Sequence, residues 1–112
     1  MARATAALKF ELAPASEPGQ FRLTGVLSFE TAAAVLASGN AAFGGERPLA
    51  VDLSGVTHAD SAGLAVLLTW IERARREQRS LAFNAVPAQL LQIARLCAVE
   101  PMLGAASGTQ AR

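Results

Sequence analysis

Several residue types that common kinds of protein site require are scarce in this sequence of 112 residues. There is one cysteine, Cys97, which excludes an internal disulfide framework and a cysteine-cluster metal site. Ten Lys and Arg nearly balance nine Asp and Glu, so the chain lacks the concentrated positive charge of a nucleic-acid-binding protein. No apolar run approaches the roughly 20 residues that a membrane-spanning helix needs. We therefore expect a protein without a bound metal, a nucleic-acid partner or a membrane span.

Groups that could carry acid–base or nucleophilic catalysis are also few. His58 is the only histidine, and Asp52 and Asp60 are the only aspartates. This scarcity disfavours a catalytic triad, and Gly44-Gly45 lacks the GxxxxGK[ST] pattern of a phosphate-binding loop. The sequence predicts a protein that is not an enzyme and binds no cofactor, with His58 in an exposed loop before a helix.

The chain is rich in apolar residues, at 52%. That share rules out disorder caused by low hydrophobicity and, at this length, suits one self-sufficient core. The first residues lack the long apolar stretch of a signal peptide. We expect one domain over residues 6–103, a disordered polar tail over 104–112, and a cytoplasmic location in which any membrane association comes through a bound subunit.

Hydrophobic periodicity predicts seven elements in the order β-β-α-β-α-β-α. The predicted strands cover residues 8–12, 21–26, 49–53 and 81–85, and the predicted helices cover 29–38, 60–78 and 87–97. Ser28 is the expected cap of the first helix, which ends near Gly39. The mostly apolar third strand is expected to be a central strand, covered on both faces or nearly so. Parallel strands joined by right-handed crossovers give a single α/β domain with helices packed on a mixed sheet.

Two further features are interpreted as structural. Cys97 falls on the apolar stripe of the last helix, which favours a small core residue over a nucleophile. Glu72 and Glu77 interrupt a cluster of arginines at the end of the second helix, so a solvated face is favoured over a basic binding patch. The clustered residues are Arg73, Arg75, Arg76 and Arg79.

The most informative pattern lies in residues 51–68. A strand is predicted to end at Leu53, a loop follows, and Asp60-Ser61-Ala62-Gly63-Leu64 opens the next helix. Asp60 is a favourable N-cap, and Gly63 removes a side chain where another backbone can approach. Ser61 is expected at the positive end of the helix, where a phosphate is electrostatically favoured. The residues alone do not distinguish that role from simple assistance to the cap.

These residues resemble the signature of the STAS family, named for sulphate transporter and anti-sigma factor antagonist domains. The shared features are an apolar strand with Asp52, then Ser54-Gly55, then Asp60-Ser61-x-Gly63-Leu64 at a strand–loop–helix junction. The resemblance implies a STAS-like fold over nearly the whole chain. Within the family, Asp60–Leu68 followed by Trp70 most resembles the MlaB-type STAS subunit of the Mla system, a Gram-negative ABC transporter that moves phospholipids between the inner and outer membranes.

The resemblance implies a cytoplasmic, non-enzymatic subunit that binds the ATPase subunit of the transporter, supports its assembly and activity, and meets the inner membrane only through that partner. In this branch the hydroxyl residue matching Ser61 lies at or near the ATPase contact. In anti-sigma factor antagonists the matching serine is phosphorylated, and the partner docks around this helix end. The alternative function is therefore an anti-sigma factor antagonist whose partner is a kinase that phosphorylates Ser61.

The role of Trp70 stays open at this point. On a helical wheel it flanks the apolar stripe beside Val66, with Arg73 one turn further on, a composition typical of an interface anchor. A neighbouring helix covering Trp70 would instead make it a core residue. With the motif, this flank completes the predicted partner-binding set: Asp60, Ser61, Gly63, Leu64, Val66, Trp70 and Arg73.

Overall fold

The computed structural model describes residues 9–107, which form four strands and four helices. The strands are β1 (Phe10–Pro14), β2 (Gln20–Leu27), β3 (Leu49–Ala59) and β4 (Leu81–Asn84). The helices are α1 (Ala32–Ala42), α2 (Ser61–Arg76), α3 (Ala88–Leu96) and α4 (Glu100–Ser107). This confirms the predicted α/β fold and its order of elements, to which the structure adds α4.

The sheet has the strand order β1-β2-β3-β4, with β1 antiparallel to β2 and the other neighbours parallel. The chain adds β2, β3 and β4 in one direction across the sheet, so right-handed crossovers place α1 and α2 on the same face. Leu49, Val51 and Leu53 are accordingly buried, whereas Ala50 and Asp52 are only partly buried. One face of β3 is therefore buried and the other only partly covered, which corrects the prediction that both faces are covered or nearly so.

Within residues 9–107 no helix covers the other face of the sheet, and the residues that line it are largely polar. Arg22 and Asp52 form an ion pair across β2 and β3, with 3.4 Å between Nε and Oδ2. A cleft of about 660 Å³ lies over this face beside the β1–β2 turn, and Thr24 and Asn84 line it together with the ion pair. The alternation of apolar and polar residues in the strands thus separates the core from solvent.

Strand β3 is longer than predicted, because it continues past Leu53 to Ala59. Its pairing with β2 shifts register twice, between Arg22 and Thr24 and again between Gly25 and Val26. These irregularities allow residues 54–59, which the sequence predicts to be a loop, to pair with β2 as part of the strand. His58 consequently lies on the strand, exposed, and Asp60 follows directly after the strand.

Helix α1 also differs from its prediction at both ends. It begins at Ala32 after Thr31, so Ser28 is not the N-cap, and it continues through Gly39 to Ala42. Gly39 is a packing residue and not a helix terminus: a Cβ built there would lie 2.5 Å from Cζ2 of Trp70. A glycine inside a helix is unfavourable in isolation, and here it makes room for the indole ring.

The arginine cluster is only partly a solvated face. The guanidinium of Arg79 is buried and donates to the carbonyl oxygens of Phe43 (2.6 Å) and Arg47 (2.8 and 3.0 Å), with a longer bond to that of Gly44 (3.3 Å). These bonds hold the loop between α1 and β3. The planar fork of donors explains how one side chain binds several carbonyl groups. For Arg79 the prediction of an exposed residue is wrong.

The carboxyl-terminal part of the domain corrects the interpretation of Cys97 and contains an additional helix. Helix α3 ends at Leu96, so Cys97 lies beyond the apolar stripe and is exposed instead of belonging to the core. Helix α4 follows, and its Leu103 is 1% exposed. A helix therefore occupies residues 104–107 of the predicted tail, and residues 108–112 lie outside the described residues.

Candidate partner-binding site

The predicted motif lies where the parallel strands β2 and β3 end side by side. Leu27 and Ala59, the last residues of the two strands, are paired in the register. The chain turns from β2 into α1 through residues 28–31 and from β3 into α2 through Asp60. Because both strands run in the same direction, these two turns lie side by side at the carboxyl-terminal ends of β2 and β3, and together they form the strand-end edge of the sheet. Open α/β sheets commonly bind their ligands at such strand ends.

The carboxylate of Asp60 ties the two turns together. Its Oδ1 accepts the backbone N–H groups of Ala62 (2.9 Å) and Gly63 (3.2 Å), which confirms Asp60 as the N-cap of α2. Its Oδ2 accepts the backbone N–H of Phe29 at 3.1 Å. The Asp60 side chain thus accepts hydrogen bonds from two free N–H groups in the first turn of α2 and also holds the neighbouring turn in position.

The electrostatics of Asp60 favour its charged form. Partial burial raises the pKa of the carboxyl group, but the three backbone N–H donors and the nearby imidazole of His58 together lower the pKa more. The pKa of Asp60 therefore lies below its ordinary value. The N-cap therefore carries a negative charge at neutral pH and accepts three backbone donors of this chain.

Gly63 allows the close contact between α2 and β2. A Cβ on Gly63 would overlap the carbonyl oxygen of Leu27. Backbone cannot move away as a flexible side chain can, so any larger residue would push the helix off the strand end. The role predicted for Gly63, a close approach of two backbones, is confirmed.

Ser61 is the first residue of α2, and it is exposed. Because it lies at the helix N-terminus, the Ser61 hydroxyl is close to the positive end of the helix dipole. Ala62 beside it is half-buried, and Ala65 one turn on is exposed. The serine therefore lies on a surface of small side chains that a partner or a modifying enzyme can reach.

Phe29 is the residue of this edge that the sequence analysis missed. Its side chain is 83% exposed, although its backbone is hydrogen-bonded to Asp60. The sequence predicts Phe29 in the first turn of a helix capped by Ser28, whereas it lies in the turn before α1. No periodicity marks it as exposed, because an aromatic residue next to a strand end is ordinarily part of a core.

The remaining predicted residues do not join this surface. Leu64, Val66 and Trp70 are 3%, 4% and 2% exposed, so they belong to the core. Trp70 packs edge-on against Phe43, with 5.0 Å between the ring centroids. It also lies nine residues along α2 from Ser61, about 13 Å at the rise of a helix. Of the two roles left open for Trp70, the structure therefore supports the core residue and not the interface anchor.

Arg73 is likewise engaged within the domain. Its Nε donates to Glu77 Oε2 at 2.9 Å, and its Nη1 donates to Asn40 Oδ1 at 3.2 Å. The bond to Asn40 joins the carboxyl-terminal ends of α2 and α1, and Arg73 lies roughly 18 Å along the helix axis from Ser61. Of the predicted set, Asp60, Ser61 and Gly63 are brought together with Phe29, and Ser61 alone among the predicted residues has an exposed side chain.

Residues 9–107 contain neither a cluster of metal ligands nor a helix that could span a membrane. No group of three His, Cys, Asp or Glu side chains in this range is placed to hold a metal ion. No helix in the same range is long and apolar enough to cross a membrane. What the strand-end edge offers chemically is an accessible hydroxyl and an aromatic ring on a firmly held backbone.

Comparison with known proteins agrees with the motif and the fold. The family model described as "Mlab, STAS domain" matches residues 10–104, from the first residue of β1 into α4. No curated protein matches the chain. Since the family match includes every strand and the whole of the Asp60–Leu64 motif, the chain belongs to the MlaB-type STAS domain family.

Proposed function

We propose that the protein is a non-enzymatic, cytoplasmic STAS subunit that binds the ATPase subunit of an ABC transporter for phospholipid transport between membranes. It would meet the inner membrane only through that partner. The proposed contact is the edge of the domain where Ser61 opens α2. The observation that carries the proposal is the exposed Ser61 on a rigid surface beside Phe29, in a domain of the MlaB-type family.

The bonding of the motif supports a binding role. Asp60, the acidic residue nearest to Ser61, already accepts three backbone N–H groups of this chain. An acid held in this way caps a helix and is poorly suited to take a proton from a substrate. The exposed groups at the edge include a hydroxyl, an aromatic ring and small side chains, which are groups that a protein surface recognises.

A second function is supported by the accessibility of the same serine. A kinase needs an exposed hydroxyl, and a phosphate on Ser61 would be stabilised by the N-terminus of α2. The protein would then be an anti-sigma factor antagonist switched by phosphorylation. This function and transporter binding predict different partners for one surface, so a single set of variants distinguishes them.

The test is a binding titration of the purified ATPase subunit with wild type, Ser61→Glu and Ser61→Ala. We expect Ser61→Glu to weaken binding by at least about 30-fold, because association would strip water from an unpaired carboxylate. Ser61→Ala should cost about 1 kcal/mol, roughly fivefold, if one hydrogen bond is lost. The free domain should keep its stability, since a carboxylate at a helix N-terminus is neutral or favourable by about 0.3–1 kcal/mol.

Ser80→Glu is the matched control. Ser80 is also exposed, but it precedes β4 and so lies at the opposite edge of the sheet from Ser61. The control adds the same charge and should leave binding unchanged. If wild type and a well-folded Ser61→Glu variant bind the ATPase with equal affinity, the contact lies on another surface of the domain. Binding to an anti-sigma kinase and not to the ATPase, with phosphate transfer to Ser61, would replace the proposal with the second function.

A further inference from the structure

We infer that Phe29 is the apolar anchor of the partner contact and inserts into an apolar pocket on the ATPase subunit. The inference rests on the proposed function and adds the residue that supplies most of the binding energy. Among the described residues, the two large hydrophobic side chains left exposed are Phe29, at 83%, and Leu96, at 87%. Only Phe29 lies at the edge that holds Ser61.

The turn that carries Phe29 is locked by local hydrogen bonds. Thr31 Oγ1 accepts the backbone N–H of Ser28 at 3.0 Å and donates to the carbonyl oxygen of Val26 at 2.8 Å. The backbone N–H of Ala32 donates to the carbonyl oxygen of Ser28 at 2.8 Å. Ser28 and Thr31 are themselves buried, at 5% and 3% exposed. The backbone of Phe29 is therefore ordered before any partner arrives, which lowers the entropy lost on binding.

A long-range tether adds to this local order. The Phe29 N–H is bound by Asp60, which also caps α2, so the ring and Ser61 are carried by one hydrogen-bonded unit. The neighbouring charge is neutralised, because Glu30 pairs with Lys9 at 2.9 Å. The exposed group beside Ser61 is thus an uncharged aromatic ring flanked by an ion pair.

These features specify the chemistry of the occupant. A single ring projecting from small and polar neighbours fits a concave apolar pocket better than a flat apolar surface. Residues of this kind, an aromatic anchor surrounded by a polar rim, commonly dominate the energy of an interface. The ion pair and Ser61 would form part of the rim, where contacts contribute to specificity more than to affinity.

Leu96 provides a control within the same chain. It is as exposed as Phe29, but it is the last residue of α3. That helix starts near the strand-end edge, where Gln89 Oε1 accepts the N–H of Ala59 at 3.2 Å. Leu96 lies about 10 Å further along the axis of α3 from Gln89, at the rise of a helix. Truncating Leu96 removes similar exposed apolar surface without touching the edge.

The experiment compares the affinities of wild type, Phe29→Ala, Phe29→Leu and Leu96→Ala for the purified ATPase subunit. We expect Phe29→Ala to lower the affinity for the ATPase subunit by at least about 30-fold, which is the effect of a hot-spot residue. Phe29→Leu should recover most of that loss, because the pocket is apolar. Leu96→Ala should bind within about twofold of wild type. Urea unfolding of each free domain should be unchanged, since both side chains are exposed.

The possible failures are distinguishable. If wild type binds the ATPase and Phe29→Ala binds within about threefold of it, the anchor is overturned and the proposed function stands. An equal loss for Leu96→Ala also overturns the anchor, because the effect would then not be specific to the edge. If wild type does not bind the ATPase at all, the proposed function and the anchor fail together.

Discussion

Gly39 and Trp70 fit together so closely that a substitution at one should change the effect of a substitution at the other. A Cβ on Gly39 would lie 2.5 Å from Cζ2 and 2.6 Å from Cε2 of the indole ring. The ring is 2% exposed and is held from another side by Phe43, so it has little freedom to move away. Adding a methyl group at Gly39 therefore overfills the contact between α1 and α2.

The magnitude follows from two opposing effects. Overpacking a core costs about 1–3 kcal/mol, whereas replacing a glycine inside a helix by alanine gains about 1 kcal/mol. Gly39→Ala should thus destabilise the wild-type domain by up to about 2 kcal/mol. Trp70→Leu alone should cost about 2–4 kcal/mol for lost burial and cavity formation. In the Trp70→Leu background the obstacle is gone, so Gly39→Ala should become neutral or stabilising.

The assay is urea unfolding of wild type, both single variants and the double variant, followed by far-ultraviolet circular dichroism. Trp70 is the only tryptophan, so its fluorescence cannot follow all four proteins. We expect a coupling free energy of about 1–3 kcal/mol. Gly44→Ala is the control, because no atom of residues 9–107 lies within 4 Å of a Cβ built there, and it should change stability by less than about 0.5 kcal/mol. Additivity of the two core substitutions within about 0.5 kcal/mol would refute the close fit.

Two further predictions concern the charged groups that hold the loops. The lowered pKa of Asp60 means that its contribution to stability is complete above the ordinary value of 3.8 and is lost as pH falls through the lowered folded-state pKa. Asp60→Asn should therefore lower the free energy of unfolding by about 1 kcal/mol at neutral pH. The urea midpoint of this variant should fall less steeply than that of wild type between pH 5 and pH 2. An acid dependence identical to that of wild type would contradict this prediction. Arg79→Met should destabilise the domain by about 2–4 kcal/mol, because it leaves the loop carbonyl groups without their donor. Arg79→Lys should recover little of this lost stability, because an ammonium group lacks the planar fork of donors. Arg75→Met, at an exposed position, should change the unfolding midpoint little, and equal effects of the Arg75 and Arg79 variants would rule out a special role for Arg79.

The candidate site was predictable where local rules act alone. Asp60 as an N-cap depends only on an acid placed before a helix, and Gly63 depends on the absence of a side chain in the first turn. Ser61 follows from the same segment. Phe29 was not predictable, because its exposure depends on which parts of the chain pack around it, and the turn that carries it is held by a hydrogen bond from its backbone N–H to Asp60, 31 residues away in the sequence.

The sequence by itself determined the order of the strands and helices, because the repeat of apolar residues distinguishes a strand from a helix without reference to the rest of the chain. It also determined the parallel arrangement, since a helix between two strands requires a crossover. Only the tertiary structure decided what covers each apolar group: Trp70 is buried against Gly39 and Phe43, whereas no residue in the described part of the chain buries Phe29 or Leu96. Periodicity states which side of an element is apolar, but burial depends on surfaces from distant parts of the chain, and those come together only in the fold.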